Sequence, residues 1–314
     1  MINTSDKMVS VFMLAYNHEK YIAEAIDSIL KQKTDFDFDI VIGEDCSTDA
    51  TRRIVLEYAQ KYPNKIKPIL HNVNVGAMLN QMYVLEACTG KYVAICEGDD
   101  YWTDPFKLQK QVDFLETNKE YVLSTHGYRM VKHGSVIRTV DHSEFIDNNN
   151  NTDGFAFDKE FALYHWVTQP VTALFRRESF KVDIRQYRYF RDVHLFYHIL
   201  KNGKGYFQNF VGADYRLHST GIDSTVEGIE RRWLEYKIYK DLFNGSRNDD
   251  ILKKRYIRQQ SDYLTLVCDE TRQHSKHNTL HTREFIFDSL KYCGIIKFAV
   301  VIKKILLSYL TRNK

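Results

Sequence analysis

Proline and glycine are scarce, 4 and 14 in a chain of 314 residues, which excludes a collagen-like or low-complexity polymer. Cysteine is scarce too: Cys46, Cys88, Cys96, Cys268 and Cys293 lie far apart, with no Cys-x-x-Cys pair. So few and scattered thiols suit neither a disulfide framework nor a thiolate zinc site, and reduced thiols in a cytosolic compartment are expected. Basic excess is also missing. Lys and Arg number 44 against 41 Asp and Glu, a formal charge of +3, whereas a dedicated nucleic-acid binder gathers a strong basic surplus on one face. No nucleic-acid partner is expected. The polar stretch Met1 to Met8 lacks the basic n-region and apolar run of a secretory signal. What the chain has is 44% hydrophobic and 14% aromatic residues, enough for a packed core.

The first third alternates strand-like with helix-like segments. Val9 to Ala15 is a short apolar run that ends in Tyr16-Asn17, and from Tyr21 the positions Ile22, Ala25, Ile26, Ile29 and Leu30 recur at helical steps. Phe36 to Ile42 reads as the next strand, leading into Gly43-Glu44-Asp45-Cys46-Ser47-Thr48-Asp49 and then a helix from about Thr51, with Asp49 or its neighbour as N-cap. The cycle repeats with a strand at Ile66 to Leu70, a helix at Gly76 to Cys88 and a strand at Tyr92 to Cys96. Such alternation implies right-handed crossovers and a doubly wound α/β sheet, mostly parallel. Ligands bind such sheets outside the carboxyl ends of the strands. Three of those ends carry Tyr16-Asn17, Glu44-Asp45 and Glu97-Asp99-Asp100, so one crevice would collect all of them.

Farther on, Asp104 to Asn118 is an amphipathic helix, and Val122 to Val131 with Val136 to Val140 reads as a hairpin turning at His133-Gly134-Ser135. A short strand is expected at Val171 to Phe175 and a helix at Arg191 to Lys201, with a largely helical pattern from about Glu227.

Glu97-Gly98-Asp99-Asp100 puts three acids within four residues at a strand end. Carboxylates this close repel one another unless a cation lies among them, and a hard divalent ion, Mg2+ or Mn2+, suits oxygen ligands. The bland alternative is a solvated turn whose Asp caps the next helix.

Five ordered blocks carry a resemblance. Val9 to Asn17, Glu44 to Asp49, Asn74-Val75-Gly76, Glu97 to Trp102 and a late segment around Asp192 resemble the family 2 inverting glycosyltransferases of the GT-A fold, over Val9 to about Ser224. The resemblance implies a Rossmann-like, mostly parallel sheet flanked by helices, with a helical C-terminal extension. It implies a sugar moved from a nucleotide donor, UDP first, to a saccharide acceptor in surface-polysaccharide or glycan assembly. By the same resemblance Ala15, Tyr16, Asn17, Glu44, Asp45, Asn74, Glu97 and Asp100 lie on the donor, with Asp45 accepting from the imide N–H of the base, Glu97 by the ribose and Asp100 orienting the metal shell or the donor sugar. Asp99 is the implied metal ligand. The chain departs from the family pattern with Glu44 and Glu97 as the first acid of each motif and with Cys46 for the loop glycine.

In the second half, Gln169 to Arg177 resembles the segment before the helix that bears the base, and Tyr189 to Leu195 the stretch carrying a general-base carboxylate. Asp192 is the candidate, against a helix cap or a salt bridge to Arg191 or Arg188. Arg216 in Tyr215-Arg216-Leu217-His218 is implied to neutralise the diphosphate, and His218 is either a metal ligand or a structural hydrogen-bonder. His126, His165 and His194 lack ligand spacing and default to structural or surface roles. Tyr101, Trp102 and Trp166 either stack on a sugar or pack.

The resulting division is residues 1–225 as the glycosyltransferase domain, about 1–120 for the nucleotide sugar and 121–225 for the acceptor, then 226–314 as a helical region. Gly294 to Leu307 is apolar but interrupted by Lys297, Lys303 and Lys304, too broken for a transmembrane span. It reads as a basic amphipathic helix lying on the cytoplasmic membrane face, where the acceptor would be a lipid-linked saccharide, or as a helix packed on protein. Two rivals remain: a non-catalytic saccharide-binding or scaffold descendant of such an enzyme, and a nucleotidyltransferase, which needs a basic Gly-rich phosphate loop not evident between Ala15 and Lys31.

Overall fold

The computed structural model describes residues 7–147, 152–219 and 228–273, so the proposed amphipathic tail lies outside the described residues. Two compact units emerge. The larger runs to residue 219 with 187–189 left out, and the smaller takes 187–189 and the chain from 220.

The larger unit is built on ten strands: β1 (Val9–Ala15), β2 (Phe38–Glu44), β3 (Ile66–Leu70), β4 (Tyr92–Ile95), β5 (Tyr101–Trp102), β6 (Tyr121–Lys132), β7 (Ser135–Val140), β8 (Gly154–Phe157), β9 (Leu174–Arg176) and β10 (Lys204–Arg216). Around them lie α1 (Ile22–Leu30), α2 (Thr51–Lys61), α3 (Ala77–Ala87), α4 (Lys107–Thr117), α5 (Lys159–Tyr164) and α6 (Asp192–Leu200). The sheet order is β3-β2-β1-β4-β9-β6-β10-β5, with β7 on β6 and β8 on β10. Strands β3, β2, β1 and β4 are parallel, and β6 and β10 are parallel in the second half, where antiparallel β9 joins the two groups. This is the expected GT-A-like α/β architecture.

Local chemistry explains the first half. All seven residues of β2 are buried, as a central strand covered on both faces requires. On α1 the apolar stripe Ile22, Ala25, Ile26 and Ile29 is wholly inaccessible. At Gly43 any Cβ would collide with Asn80, and the bare backbone lets Asn80 Nδ2 donate to the Gly43 carbonyl at 2.9 Å, seating α3 on β2.

Three boundaries differ from the sequence expectation. Strand β2 begins at Phe38 and runs through Glu44, which makes Glu44 a strand residue rather than a loop residue. Pro170–Thr172 is a 3-10 turn, and β9 starts only at Leu174. Helix α4 begins at Lys107, three residues late, because Asp104 Oδ1 takes the Phe106 N–H in a turn of its own. The N-cap of α2 is the neighbour Ala50, whose side chain has no group to cap with, and Asp49, one residue farther out, accepts the Thr51 N–H at 2.9 Å.

The smaller unit holds α7 (Gly228–Asn244) and α8 (Asp250–Gln273), joined by a core of Trp233, Tyr236, Leu242, Phe243, Leu252 and Tyr256. Its rings stack, Phe243 on Tyr256 at 5.5 Å and Trp233 on Tyr236 at 5.0 Å. Asp241 Oδ2 accepts the backbone N–H groups of Arg188 and Tyr189 at 2.8 and 2.7 Å, which ties residues 187–189 to α7.

Candidate active site

The carboxyl ends of β1, β2 and β4 lie side by side in the parallel sheet, and the loops that leave them interlock. Asn17, in the left-handed region at φ 56°, donates its N–H to Ser47 Oγ at 3.1 Å and accepts the Thr48 N–H on Oδ1 at 2.9 Å. His18 N–H meets Thr51 Oγ1 at 2.8 Å, and Glu19 N–H meets Asp49 Oδ2 at 3.0 Å. Asn17 thereby fastens two loops together, while Tyr16 beside it is 43% exposed.

Asp45 stands at the centre of the next wall. Its N–H donates to the Ala15 carbonyl at 3.0 Å, and its carboxylate accepts the Val75 and Gly76 N–H groups at 2.7 and 2.9 Å. Asn74 Nδ2 completes the tie on the Asp45 carbonyl at 3.2 Å. Ala15, Asp45 and Asn74 are therefore brought together.

Glu44 is a correction. Its side chain has no accessible surface; Oε1 accepts the Ser47 N–H at 2.7 Å and Oε2 pairs with Arg52 Nε. A carboxylate without accessible surface, taken up by Ser47 and Arg52, has no face to offer a donor. Cys46 follows at φ 57°, the left-handed conformation for which glycine is the default residue.

The acid cluster follows β4. Glu97, Asp99 and Asp100 each offer an oxygen, all within 4.8 Å of one another. Gly98 is what lets the cluster press against β1: its N–H donates to the Leu14 carbonyl at 2.9 Å, and a Cβ there would come within 2.7 Å of Ile22 Cδ1 and 2.8 Å of His18 Nδ1.

Asp100 is only 2% exposed and accepts the Arg216 N–H on Oδ1 at 2.8 Å. Burial, then the neighbouring Asp99 charge, pushes its carboxyl well above the ordinary range. Burial also opposes ionisation of Asp99, but the hydrogen bond from His218 and the charges of His18 and His218 outweigh it and hold that carboxyl low. His218 Nε2 lies 3.1 Å from Asp99 Oδ2.

Arg216 crosses the same mouth. Its Nη1 donates to the Asp99 carbonyl at 2.8 Å, Nη2 pairs with Glu24, and the guanidinium lies 4.3 Å from the centre of the Tyr101 ring. Beneath it Asp214 grips Arg129 through two bonds of 2.6 and 2.8 Å. Trp102 is core: it is 4% exposed, with Nε1 donating to the Val171 carbonyl at 2.9 Å. Trp166 is 43% exposed, its Nε1 on Gln169 Oε1 at 2.8 Å.

Three acidic oxygens this close form a donor set that fits a divalent cation: oxygen-rich, partly open, and with like charges that a cation would relieve. Glu97 and Asp99 are part-exposed, Asp99 at 21%, and Asp100 is buried.

Asp192 lies on the first turn of α6, half-buried, where the helix N-terminus favours negative charge. The residue before the helix is Arg191, whose N–H meets His194 Nδ1 at 3.3 Å, so Asp192 is not the N-cap. Sequence reasoning missed His18 and Glu24. His18 directly follows Tyr16-Asn17, and that position was its only signal.

Comparison with known proteins bears on this geometry. The chain is 46% identical over 123 residues to the uncharacterised protein Rv1520 of Mycobacterium tuberculosis; the match takes in 39% of this chain and 36% of that one, so the chain spans little more than a third of that relative's length. It is 28% identical to the putative teichuronic acid biosynthesis glycosyltransferase TuaG of Bacillus subtilis, over 73% of this chain and 87% of the relative. Among solved structures, S. aureus TarS 1-349 in complex with UDP-GlcNAc superposes with a TM-score of 0.58 at 19% identity, over 82% of this chain and 81% of that one. The mannosyltransferase PcManGT of Pyrobaculum calidifontis, in complex with GDP-Man and Mn2+, gives 0.56 at 14% identity, over 99% and 88%. These two likenesses are of fold. The family model for glycosyl transferase family 2 matches residues 10–183, more than half of the chain, and with the sheet order and strand-end acids described above the chain belongs to the family 2 glycosyltransferases.

Proposed function

We propose that this chain is an inverting glycosyltransferase that moves a sugar from a nucleotide donor, UDP-linked, to a saccharide acceptor in surface-polysaccharide assembly, with Mn2+ or Mg2+ held by Asp99 and His218. The observation that carries the proposal is the convergence of Glu97, Asp99 and Asp100 with His218 and Arg216 at one mouth of the sheet. A nucleoside diphosphate presents the complementary partners: a base, a ribose and a doubly charged bridge. The likeness to TuaG, a putative teichuronic acid biosynthesis glycosyltransferase, and to TarS and PcManGT, seen in complex with UDP-GlcNAc and GDP-Man, supports the same substrate class.

The contacts support these roles in the proposed reaction. Each Asp45 oxygen accepts one backbone N–H and keeps a lone pair, so the carboxylate can take the imide N–H of a uracil. Glu97, partly exposed, lies by the ribose. Arg216, released from Glu24, neutralises the diphosphate. The ion, when bound, offsets charge growing on the departing phosphate. Asp192 takes the proton of the acceptor hydroxyl as it attacks the anomeric carbon from the opposite face.

Screening nucleotide sugars for diphosphate release, with Mn2+ and with EDTA, tests the reaction class: release from none, in any metal, would overturn it. Asp192→Asn is expected to lower transfer by at least ~10²-fold while donor affinity stays within about twofold. Loss of donor binding instead would remove Asp192 from the base role. Among the described residues no helix is long and apolar enough to cross a membrane.

A further inference from the structure

Helix α4 and strand β10 border a cavity of about 530 Å3, and none of its lining residues has a part in the proposed reaction. Its walls follow from two periodicities. Lys110, Phe114 and Asn118 recur every four residues, so α4 and its C-cap present them on one face, while Tyr206, Gln208 and Phe210 alternate along β10. Asn209 joins them out of alternation, where the register of β10 on β6 shifts between Gln208 and Val211.

The lining is fixed by contacts of its own. Phe114 stacks on Tyr206 at 4.4 Å, and Phe210 lies on the buried His126 ring at 4.6 Å, with Lys110 Nζ 4.5 Å from its centre. Asn118 Nδ2 donates to the Phe114 carbonyl and Asn209 Nδ2 to the Thr152 carbonyl, both at 2.8 Å. Gln208 Oε1 takes the Ser124 hydroxyl at 2.9 Å. With their nitrogens engaged, Asn118 and Asn209 keep Oδ1 as an acceptor for a ligand. Charge narrows the choice of ligand. Among the described lining residues Lys110 is the only cation, already paired with Asp104, and Asp153 offsets it. A nucleotide or another polyanion meets no surplus of positive charge here. A pyranose matches better, because its C–H face packs on aromatic rings while its hydroxyls bond neutral amides at the edge. The volume is that of a cavity for a small ligand.

We infer that this cavity is a second saccharide site, which grips a neutral part of the glycan chain away from the point of transfer. Arg216, at the mouth of the proposed donor site, lies six residues beyond Phe210 on the same strand, roughly 20 Å of extended chain. The inference rests on the saccharide-acceptor reading above and adds a place where units that do not react are held. Holding one chain at two places makes the second contact intramolecular, so acceptors long enough to reach the cavity bind more tightly than short ones.

The test applies the full chain, without donor or metal, to a microarray of neutral oligosaccharides of graded length built from glucose, galactose, mannose and N-acetylglucosamine. The wild type is expected to retain at least one of them, more strongly as length grows. Phe210→Ala and Asn209→Ala are each expected to weaken retention by about 5-fold or more, while thermal melting and donor hydrolysis stay at wild-type levels. Asn209 is exposed, so its variant keeps the core intact should Phe210→Ala fail to fold. No retained glycan, or retention that Asn209→Ala leaves unchanged, would overturn the site. Diphosphate release from a nucleotide sugar by a chain that retains no glycan removes this inference alone. Retention that is lost in Asn209→Ala, with no release from any donor, keeps the site and removes the transferase reading.

Discussion

Cys46 illustrates what a single residue contributes to the site. It occupies the left-handed region at φ 57° without being glycine, in the loop that positions Asp45, and a non-glycine residue there costs roughly 1–2 kcal/mol. Its thiol recovers little, a long contact of 3.6 Å to the Asn72 carbonyl. Cys46→Gly removes the strain but gives the unfolded chain more freedom, worth about 0.5–1 kcal/mol in the opposite sense. A net gain of about 0.5–1 kcal/mol is expected, read as a higher urea midpoint at unchanged slope; a lower midpoint would mean that the thiol contact outweighs the strain. At this scale the sequence is a good guide to which residues matter and a poor one to their orientation. Glu44 and Asp45 are adjacent acids at the same strand end, yet one carboxylate faces its own loop and Arg52 while the other reaches across to Val75 and Gly76. Strand alternation separates neighbours, but the choice of partner is a tertiary matter. His18 escaped notice for the same reason, since its meaning comes from Asp99, far along the chain.

Helix α6 carries a prediction of its own. Burial, then the charges of His198 and Arg191, lowers His194 to about 3, and burial, then Lys201, lowers His198 to about 4. Unfolded, both titrate near 6.5, so between those values the unfolded chain binds more protons than the folded one. Their contribution to stability is whole above pH 6.5 and is lost as the pH falls toward 4 and 3, each unit of separation being worth ~1.4 kcal/mol. The urea midpoint should be flat from pH 7 to 8 and fall steeply below 6, and His194→Gln should make that fall shallower. An unchanged slope in the variant would show that His194 takes up its proton without unfolding. Element by element, legibility followed the strength of the pattern. Strands β1, β2 and β4 are apolar runs between loops and were readable. Strand β10 was not recognised, although it anchors Arg216: its sequence mixes Gly, Asn and Gln with aromatics, and its register on β6 shifts near Gln208, Val211 and Ala213, which destroys any period. Strands β5 and β8, of two and four residues, are too short to show a period at all.

Over the whole molecule, the near neutrality of the chain hides a separation of roles. Every residue of the proposed donor site, from Ala15 to His218, belongs to the larger unit, and α7 and α8 have an aromatic core of their own. Ligand binding should therefore leave its mark on one unit. With Mn2+ and a donor nucleotide at 100 times its Kd, mass action adds about 2.7 kcal/mol to the stability of the state that binds. Hydrogen exchange would show where that energy is felt. Protection is expected at the loops after β1, β2 and β4 and at the end of β10, because their amides hold one another through Asn17, Asp45, Gly98 and Asp100. The amides of α7 and α8 should exchange at the same rate with and without ligand, and EDTA should return the loops to their free rates. Protection that appears first in α7 or α8 would place the nucleotide elsewhere. Protection of the loops that persists in EDTA would show that the nucleotide is held by Asp45, Asn74 and Arg216 without the ion, leaving the acid cluster a part in catalysis alone.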